Sequence, residues 1–172
     1  MTIRNAVVGD VDAIRRIATH SWETDYRGVL TRETVETAVN DWYAPERIEA
    51  ELGAERTAVL VAERDEELVG FAHATWSEED ANGYILRIYV HPDHRRERVG
   101  RELLEGTCDA LVARGVERIN AMVLSENRPG VEFYEQFGFE FVDERPTSIG
   151  DETYPESRYV LEPEAGSDSL FT

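Results

Sequence analysis

The chain has 172 residues, 41% of them hydrophobic, which suits a single domain with a sizeable core. Its formal net charge of -18 disfavours nucleic acid as a general partner. The apolar runs are too short to cross a bilayer, and the first residues lack the apolar core of a secretory signal. We therefore expect a cytoplasmic protein with no membrane partner.

All 18 basic residues are arginine, against 36 acidic residues. Self-repulsion among these charges is largely screened at about 1 M salt, where the screening length falls to about 3 Å. We interpret the composition as halophilic, with an ordinary acidic protein or an acidic partner-binding face as alternatives. The single cysteine, Cys108, lies among helix-forming residues and is interpreted as a small buried thiol without a chemical role.

The first half of the chain predicts a strand, helices and a hairpin. The predicted segments are residues 2–7, 11–26, 32–52, 57–64 and 67–77. Asp10 and Thr31 are the candidate helix caps, and Pro45 interrupts the second helical stretch. A tight turn at Asp65 and Glu66 joins the two strands of the hairpin.

The second half predicts strands that alternate with helices. Its segments are strands at 84–90, 116–124, 139–144 and 157–163, and helices at 99–114 and 128–137. Strand, helix and strand across residues 84–124 form a βαβ unit, which favours a parallel pair of strands. We expect one domain over residues 1–163 and a disordered tail over residues 164–172.

Positive charge is concentrated where the helix from Val99 begins. Arg95, Arg96, Arg98 and Arg101 lie within seven residues. A helix amino terminus offers unpaired N–H groups and a partial positive charge, so this segment predicts a phosphate site. The chain has no lysine for a Walker-type loop, and no G-x-G-x-x-G follows a predicted strand. A solvated helix face with i,i+4 ion pairs is the structural alternative.

Two motifs resemble the GNAT superfamily of N-acetyltransferases. "RRERVG", residues 95–100 after "YVHP", is similar to the family's pyrophosphate loop, Arg/Gln-x-x-Gly-x-Gly/Ala. "SENRPGVEFYEQFGFEFV" is similar to the downstream motif; the matching residues are Asn127, Phe133, Tyr134, Gly138 and Phe139. The resemblance spans residues 2 to about 162. Arg98 departs from it because the family has a glycine there, and we expect Arg98 to keep helical dihedrals with its guanidinium toward solvent or a phosphate.

The resemblance implies a fold and an activity. The fold is α/β (α+β), a GNAT-like mixed, mostly antiparallel central sheet of about seven strands flanked by helices, in which the parallel fourth and fifth strands splay apart. The activity is transfer of an acetyl group from acetyl-CoA to a primary amine of a small molecule, protein or peptide by direct attack. Tyr134 is implied as the general acid that protonates the leaving thiolate.

The resemblance also implies a set of binding residues. Main-chain groups of Tyr89 and Val90 are expected to hold the pantetheine arm and meet the acetyl oxygen. Trp22 and Tyr26 are expected to line the acceptor site. The expected cofactor-binding residues are Ile88, Tyr89, Val90, Arg95, Arg96, Glu97, Arg98, Val99, Gly100, Arg101 and Asn127.

The general base is less well defined by the sequence. Many relatives carry a glutamate on the fourth strand, where this chain has Tyr84. We predict His73 as the base, with His20, Glu23 and Glu79 as the other candidates.

His91 and His94 have His-x-x-His spacing, but Pro92 interrupts any helix, so we expect a turn and no metal. Two other functions fit part of the pattern. One is a non-catalytic acyl-CoA-binding regulatory module, and the other is an anion- or nucleotide-binding protein without acyl chemistry. A strand-rich carboxyl end is compatible with a homodimer.

Overall fold

The structure, a computed structural model, describes residues 1–26, 30–95, 97–149 and 152–163. Two expectations lie outside these residues, namely the disordered tail at 164–172 and the cofactor contact of Arg96. No helix within the described ranges is long and apolar enough to cross a membrane.

The described residues form a seven-stranded sheet with helices on both faces. The strands are β1 Thr2–Asn5, β2 Thr57–Arg64, β3 Glu67–Trp76, β4 Asn82–Val90, β5 Arg118–Leu124, β6 Glu140–Ile149 and β7 Glu152–Leu161. The helices are α1 Val11–Asp25, α2 Arg32–Trp42, α3 Pro45–Leu52, α4 Val99–Ala113 and α5 Arg128–Phe137. Short 3-10 helices cover Val8–Asp10 and Pro92–His94.

The sheet has the strand order β1-β2-β3-β4-β5-β7-β6. All neighbouring strands are antiparallel except β4 and β5, which are parallel. The expected mixed, mostly antiparallel sheet is therefore confirmed. The β4–β5 pairing runs from Asn82 with Arg118 to Ile85 with Ala121, and β4 then continues to Val90 paired with β3 but not with β5. This separation is the expected splay.

Apolar side chains on the two faces of the sheet form separate clusters. Helices α1 to α3 cover one face, where Ile17 and Trp22 pack with Phe71. Helices α4 and α5 cover the other face, where Leu104 and Cys108 are fully buried. Burial raises the pKa of the Cys108 thiol, so this residue is the inert core thiol that the sequence predicted.

The predicted local signals are confirmed at three places. Thr31 caps α2, since its hydroxyl oxygen accepts a hydrogen bond of 3.1 Å from the Thr34 N–H. Pro45 is the first residue of α3 and separates it from α2. Asp65 and Glu66 both have positive φ, at 52° and 66°, as a tight hairpin turn requires.

Asp10 stands at the start of α1, but its carboxylate does not cap that helix. It accepts hydrogen bonds from the Arg4 guanidinium at 2.8 and 3.0 Å and from the Val7 N–H at 2.8 Å. The prediction of a side-chain cap on α1 was wrong because a charged partner, Arg4, forms the stronger hydrogen bonds.

The last hairpin is longer than the sequence predicted. Strand β6 extends to Ile149 and β7 begins at Glu152, although each contains a proline. Pro146 and Pro155 lie opposite each other in the register. Because β6 is at the edge of the sheet, its proline removes no donor that a further strand would need. The extension brings residues of both strands to the site described next.

Candidate active site

A cleft of about 1020 Å³ opens where β4 and β5 separate. Its walls come from α1, α2, α3, the start of α4, α5 and the β6–β7 hairpin. Substrates usually bind in concave, mostly apolar pockets with a few polar groups, and this cleft has that character. In this chain the cleft also contains most of the residues that the sequence predicted for the site.

The main chain of β4 forms one edge of the cleft. The His91 N–H donates to the Val69 carbonyl at 2.8 Å, so His91 faces β3. Main-chain groups of alternate residues in an antiparallel strand point to the same side. Tyr89 therefore also faces β3, whereas the main-chain groups of Ile88 and Val90 point into the gap beside β5. The main chain of Tyr89 is therefore turned away from the gap, and the expected contact of Val90 with the pantetheine arm stays a prediction.

The Val90 carbonyl already has two donors. It accepts hydrogen bonds from the Ser21 hydroxyl at 3.3 Å and from the Arg95 Nε at 3.2 Å. These contacts tie β4 to α1 and to the loop before α4. The Val90 N–H lies in the segment of β4 that has no β5 neighbour. It points into the gap, where it can donate a hydrogen bond to a ligand.

Helix α4 begins at the cleft with an unusual residue. Arg98 has φ 67° and ψ 10°, the left-handed conformation. The expectation that Arg98 keeps helical dihedrals was wrong: the turn into α4 requires positive φ, even though a side chain there costs about 1–2 kcal/mol. The N–H groups of the first helical residues, Val99, Gly100 and Arg101, have no intrahelical partners. They give this end of the cleft a partial positive charge.

Three of the predicted arginines line the cleft, namely Arg95, Arg98 and Arg101. Glu97, also predicted to bind the cofactor, is not among the lining residues. Its carboxylate lies 2.9 Å from Arg64 on β2. Glu97 therefore links the loop before α4 to the sheet.

The charge of the cleft is opposite to the charge of the chain. Five of the described lining residues are arginine and two are glutamate, while the whole chain has a formal net charge of -18. The arginines are Arg47, Arg87, Arg95, Arg98 and Arg101, and the glutamates are Glu132 and Glu156. Guanidinium groups and helix N–H groups together suit a diphosphate, which accepts several hydrogen bonds at once.

Tyr134 on α5 lies in the wall of the cleft and is 3% exposed. Its ring packs against Phe133 and Phe139 at centroid distances of 5.5 and 5.3 Å. Its hydroxyl makes no hydrogen bond with the residues that the structure describes. Burial raises the pKa of Tyr134, so the phenol is protonated at neutral pH and can donate to a ligand.

Asn127 holds α5 against α1. Its Oδ1 accepts a hydrogen bond of 3.1 Å from the Gly130 N–H, and its Nδ2 donates to the Tyr26 hydroxyl at 3.4 Å. Gly130 is needed for this approach, because a Cβ there would lie 2.8 Å from Nδ2 of Asn127. Asn127 also lines the cleft. Its two hydrogen bonds therefore position Tyr26 and the start of α5 in the cleft wall.

Four aromatic side chains from the α1–α3 layer line the cleft. Trp22 and Tyr26, predicted for the acceptor site, lie there together, with ring centroids 4.7 Å apart. Trp42 and Tyr43 were not predicted. The Trp22 Nε1 and the Tyr43 hydroxyl are buried beside each other and beside the Tyr89 hydroxyl, without a hydrogen bond of standard geometry among the described residues.

His73, the predicted base, lies beside the cleft and does not line it. Its Nδ1 is 3.6 Å from Glu51 and 3.5 Å from Arg87. Burial is the main cause that lowers the pKa of His73. The same Glu51 carboxylate contacts Arg87 at 3.2 Å and Arg47 at 3.7 Å, so His73 belongs to a structural network.

The other candidate bases also lie elsewhere. His20 and Glu23 line a second pocket of about 440 Å³ with residues of α1 and α2. Glu79 is exposed in the turn between β3 and β4. The structure therefore brings none of the four predicted bases into the main cleft.

Two carboxylates that line the cleft, Glu132 and Glu156, were not predicted. Glu156 on β7 is half-buried and lines the cleft, and burial raises its pKa. It directly precedes the run that predicted a strand from residue 157. The one sequence signal was a glutamate at the start of an alternating apolar run.

The His-x-x-His segment forms the expected turn, the 3-10 helix Pro92–His94. His91 Nε2 lies 2.8 Å from His20 Nδ1, which links the turn to α1. Within the described ranges, His, Cys, Asp and Glu side chains form no group of three placed to hold a metal ion.

Comparison with known proteins agrees with this geometry. A family model described as the acetyltransferase (GNAT) family matches residues 13–139. Spermidine N(1)-acetyltransferase of Thermoplasma acidophilum is 25% identical over 145 residues, which cover 82% of this chain and 89% of that protein. Acetyltransferase ECA0875 of Pectobacterium atrosepticum is 30% identical over 122 residues, covering 70% of this chain and 85% of the relative.

Solved structures show the same fold. The PaiA N-acetyltransferase of Thermoplasma acidophilum in complex with coenzyme A superposes with a TM-score of 0.79 at 23% identity, covering 92% of this chain and 98% of the other. The yncA protein of Salmonella typhimurium with acetyl-CoA gives a TM-score of 0.65 at 25% identity, with coverage of 96% and 98%. The chain therefore belongs to the GNAT family and is an acetyltransferase.

Proposed function

We propose that the protein transfers an acetyl group from acetyl-CoA to a primary amine of a small molecule, a protein or a peptide. The observation that carries the proposal is the gap between β4 and β5, because one cleft contains exposed β4 main chain, the start of α4 and Tyr134. Acetyl transfer needs these three features to polarise the thioester, bind the phosphates and protonate the leaving group.

In this proposal the diphosphate of acetyl-CoA binds at the start of α4. The N–H groups of Val99, Gly100 and Arg101 donate to its oxygens, and the side chains of Arg95 and Arg101 line the same part of the cleft. Direct hydrogen bonds to charged oxygens remain effective at high salt, where long-range attraction is screened. A chain with a formal net charge of -18 can thus bind an anion by local geometry.

The thioester lies in the gap beside β4. The Val90 N–H is the donor that meets the acetyl oxygen and stabilises the negative charge that develops there. The phenol of Tyr134 donates its proton to the departing sulfur. A protonated phenol suits this role because burial raises the pKa of Tyr134 and thereby keeps the proton in place until the thiolate forms.

The aromatic wall and the two arginines on its side of the sheet form the acceptor end. Arg87 lies over the Tyr43 ring at 5.0 Å, and Arg47 and Arg87 both contact Glu51. These two arginines together with Glu51 and Glu156 have no net negative charge. A polyamine such as spermidine carries several positive charges and would need an acceptor end with net negative charge. We therefore propose an acceptor with a single amine, unlike the substrate in the relative's name.

A binding and turnover assay tests this proposal. At molar potassium chloride, the melting temperature is measured with acetyl-CoA, coenzyme A and ATP, and thiol release is then followed with a panel of amines that includes spermidine and single-amine compounds. We expect shifts from both coenzymes and thiol release with single-amine acceptors. Shifts without turnover would identify a regulatory acyl-CoA-binding module, and a shift from ATP alone would identify an anion-binding protein.

A further inference from the structure

Glu156 occupies a place in the cleft that cofactor binding does not explain. It pairs in register with Leu124 of β5, and directly opposite residues in an antiparallel pair point to the same face. Leu124 packs in the cluster formed with α1 to α3, which also contains Trp22 and Tyr26. Glu156 therefore lies on the acceptor side of the sheet, next to the strand from which β4 separates.

The carboxylate of Glu156 has no partner within the described ranges. It forms no hydrogen bond or ion pair there, although it is half-buried. Arg145 lies opposite on β6, but its side chain is 75% exposed and contacts Asp143. Arg158, two residues along β7, binds Asp143 at 2.7 Å and Asn120 at 2.9 Å. Nearby arginines are thus directed to other acceptors.

A half-buried carboxylate without a donor loses hydration without compensation. Such a group is stabilised when a cationic donor from a ligand arrives. Glu156 lines the cleft together with Trp22, Tyr26 and Tyr134. An amine held by the aromatic wall would be the donor that this carboxylate lacks.

We propose that Glu156 binds the acceptor amine and accepts the proton that the amine must lose before it attacks. This inference rests on the proposed acetyl transfer. It assigns to β7 the general base that the sequence placed on β3, at His73. Glu156 is a catalytic residue in this account because it contacts the reacting nitrogen.

The ammonium group gives one proton to Glu156, which passes it to solvent. The nitrogen lone pair then forms the C–N bond to the thioester carbon, and the C–S bond breaks with its electron pair on sulfur. Tyr134 protonates that sulfur, and the second proton lost by nitrogen restores the phenol through solvent. The products are the acetylated amine, coenzyme A and one proton.

Several charged or titratable groups share the cleft or the strand register with Glu156. Those that share the cleft with Glu156 are Tyr26 directly after α1, Arg47 on α3, Arg87 on β4 and Tyr134 on α5. Arg145 lies opposite on β6, and Arg158 lies two residues along β7. Burial raises the pKa of Glu156, which makes it a better proton acceptor than a solvated carboxylate.

The test compares Glu156→Gln with Glu140→Gln, a change at an exposed carboxylate of β6. Glu156→Gln should lower kcat by about 100-fold or more, while the melting shift from acetyl-CoA stays unchanged. The fall in kcat caused by Glu156→Gln should be smaller for a weakly basic amine that is already neutral, because that amine needs no base before attack. Glu140→Gln should keep wild-type kcat.

The outcomes separate the two proposals. Wild type and Glu156→Gln with equal kcat for a basic amine would overturn the role of Glu156 and leave acetyl transfer intact. An equal loss for basic and weakly basic amines would show that Glu156 only shapes the site, and would also overturn the role as base. A wild-type protein that acetylates no amine would overturn the proposed function and this inference together.

Discussion

Ile85 of β4 and Ala121 of β5 are the last residues that join these two parallel strands. Beyond them, β4 runs to Val90 without β5 beside it. A strand that loses its neighbour on one side inside a sheet would normally leave costly unsatisfied N–H groups on that side. Here the gap opens into a cleft with positive charge at one end and aromatic side chains at the other, and a bound thioester can satisfy those groups.

Tyr134→Phe tests the general acid. The change removes one oxygen and keeps the ring packed against Phe133 and Phe139. We expect kcat to fall by about 100-fold, because the thiolate then leaves without a proton. Thiol release gives kcat, and the melting shift from acetyl-CoA serves as the binding control. Normal turnover with intact coenzyme binding would end the assignment of Tyr134.

Arg98→Gly tests the left-handed turn before α4. Glycine adopts positive φ without the steric cost of a side chain, so the variant should be more stable by about 1 kcal/mol. Arg98→Ala keeps a Cβ at φ 67° and should not gain this stability. Denaturant unfolding of the two variants measures the difference. Equal stabilities would contradict the strain at this residue.

The same pair of variants tests the guanidinium of Arg98. If the side chain contacts a phosphate, both Arg98→Ala and Arg98→Gly should weaken acetyl-CoA binding. Titration of each variant with the coenzyme measures the affinity. Wild-type affinity in Arg98→Ala would remove the phosphate contact and leave Arg98 with a conformational role alone.

Asp10→Asn tests the ion pair with Arg4. Hydrogen bonding to Arg4 is the main cause that lowers the pKa of Asp10 below 3.8. The interaction therefore stabilises the fold above the unfolded-state pKa and is lost as pH falls through the lower folded-state pKa. We expect a loss of about 1–2 kcal/mol in unfolding free energy at neutral pH.

The difference in unfolding free energy between wild type and Asp10→Asn should become smaller once the pH falls below about 4. Urea unfolding at a series of pH values measures it. Asp41→Asn, a change at an exposed carboxylate of α2, is the matched control and should have little effect. A difference that is independent of pH would contradict the ion-pair account.

The composition supports a salt-dependent stability, and we propose that the protein is adapted to concentrated salt. With 36 acidic residues against 18 arginines, self-repulsion should lower stability in dilute buffer. The melting temperature should therefore rise as potassium chloride increases to about 1 M, where the screening length is about 3 Å. Calorimetry measures this rise, and a constant or falling melting temperature would count against the proposal.

Some parts of the site follow directly from the sequence and others do not. The motif around Asn127 and Tyr134 predicted both residues, and the structure places both in the cleft. Arg98 was assigned the wrong conformation because a non-glycine residue at positive φ is uncommon. The turn from the preceding loop into α4 overrides this preference.

The base could not be predicted because it depends on long-range packing. Alternation in a strand shows the face of His73, but not that Glu51 and Arg87 occupy the space beside it. Glu156 reaches the cleft only because β7 continues through Pro155, opposite Pro146. Proline is unfavourable inside a strand, and the sequence predicted the last strand only from residue 157.

A crystal structure with acetyl-CoA would show where the coenzyme binds. We expect the diphosphate to accept hydrogen bonds from the N–H groups at the start of α4, and the thioester to lie between Val90 of β4 and the Tyr134 hydroxyl. A coenzyme bound outside the gap between β4 and β5, with the start of α4 empty, would contradict the account.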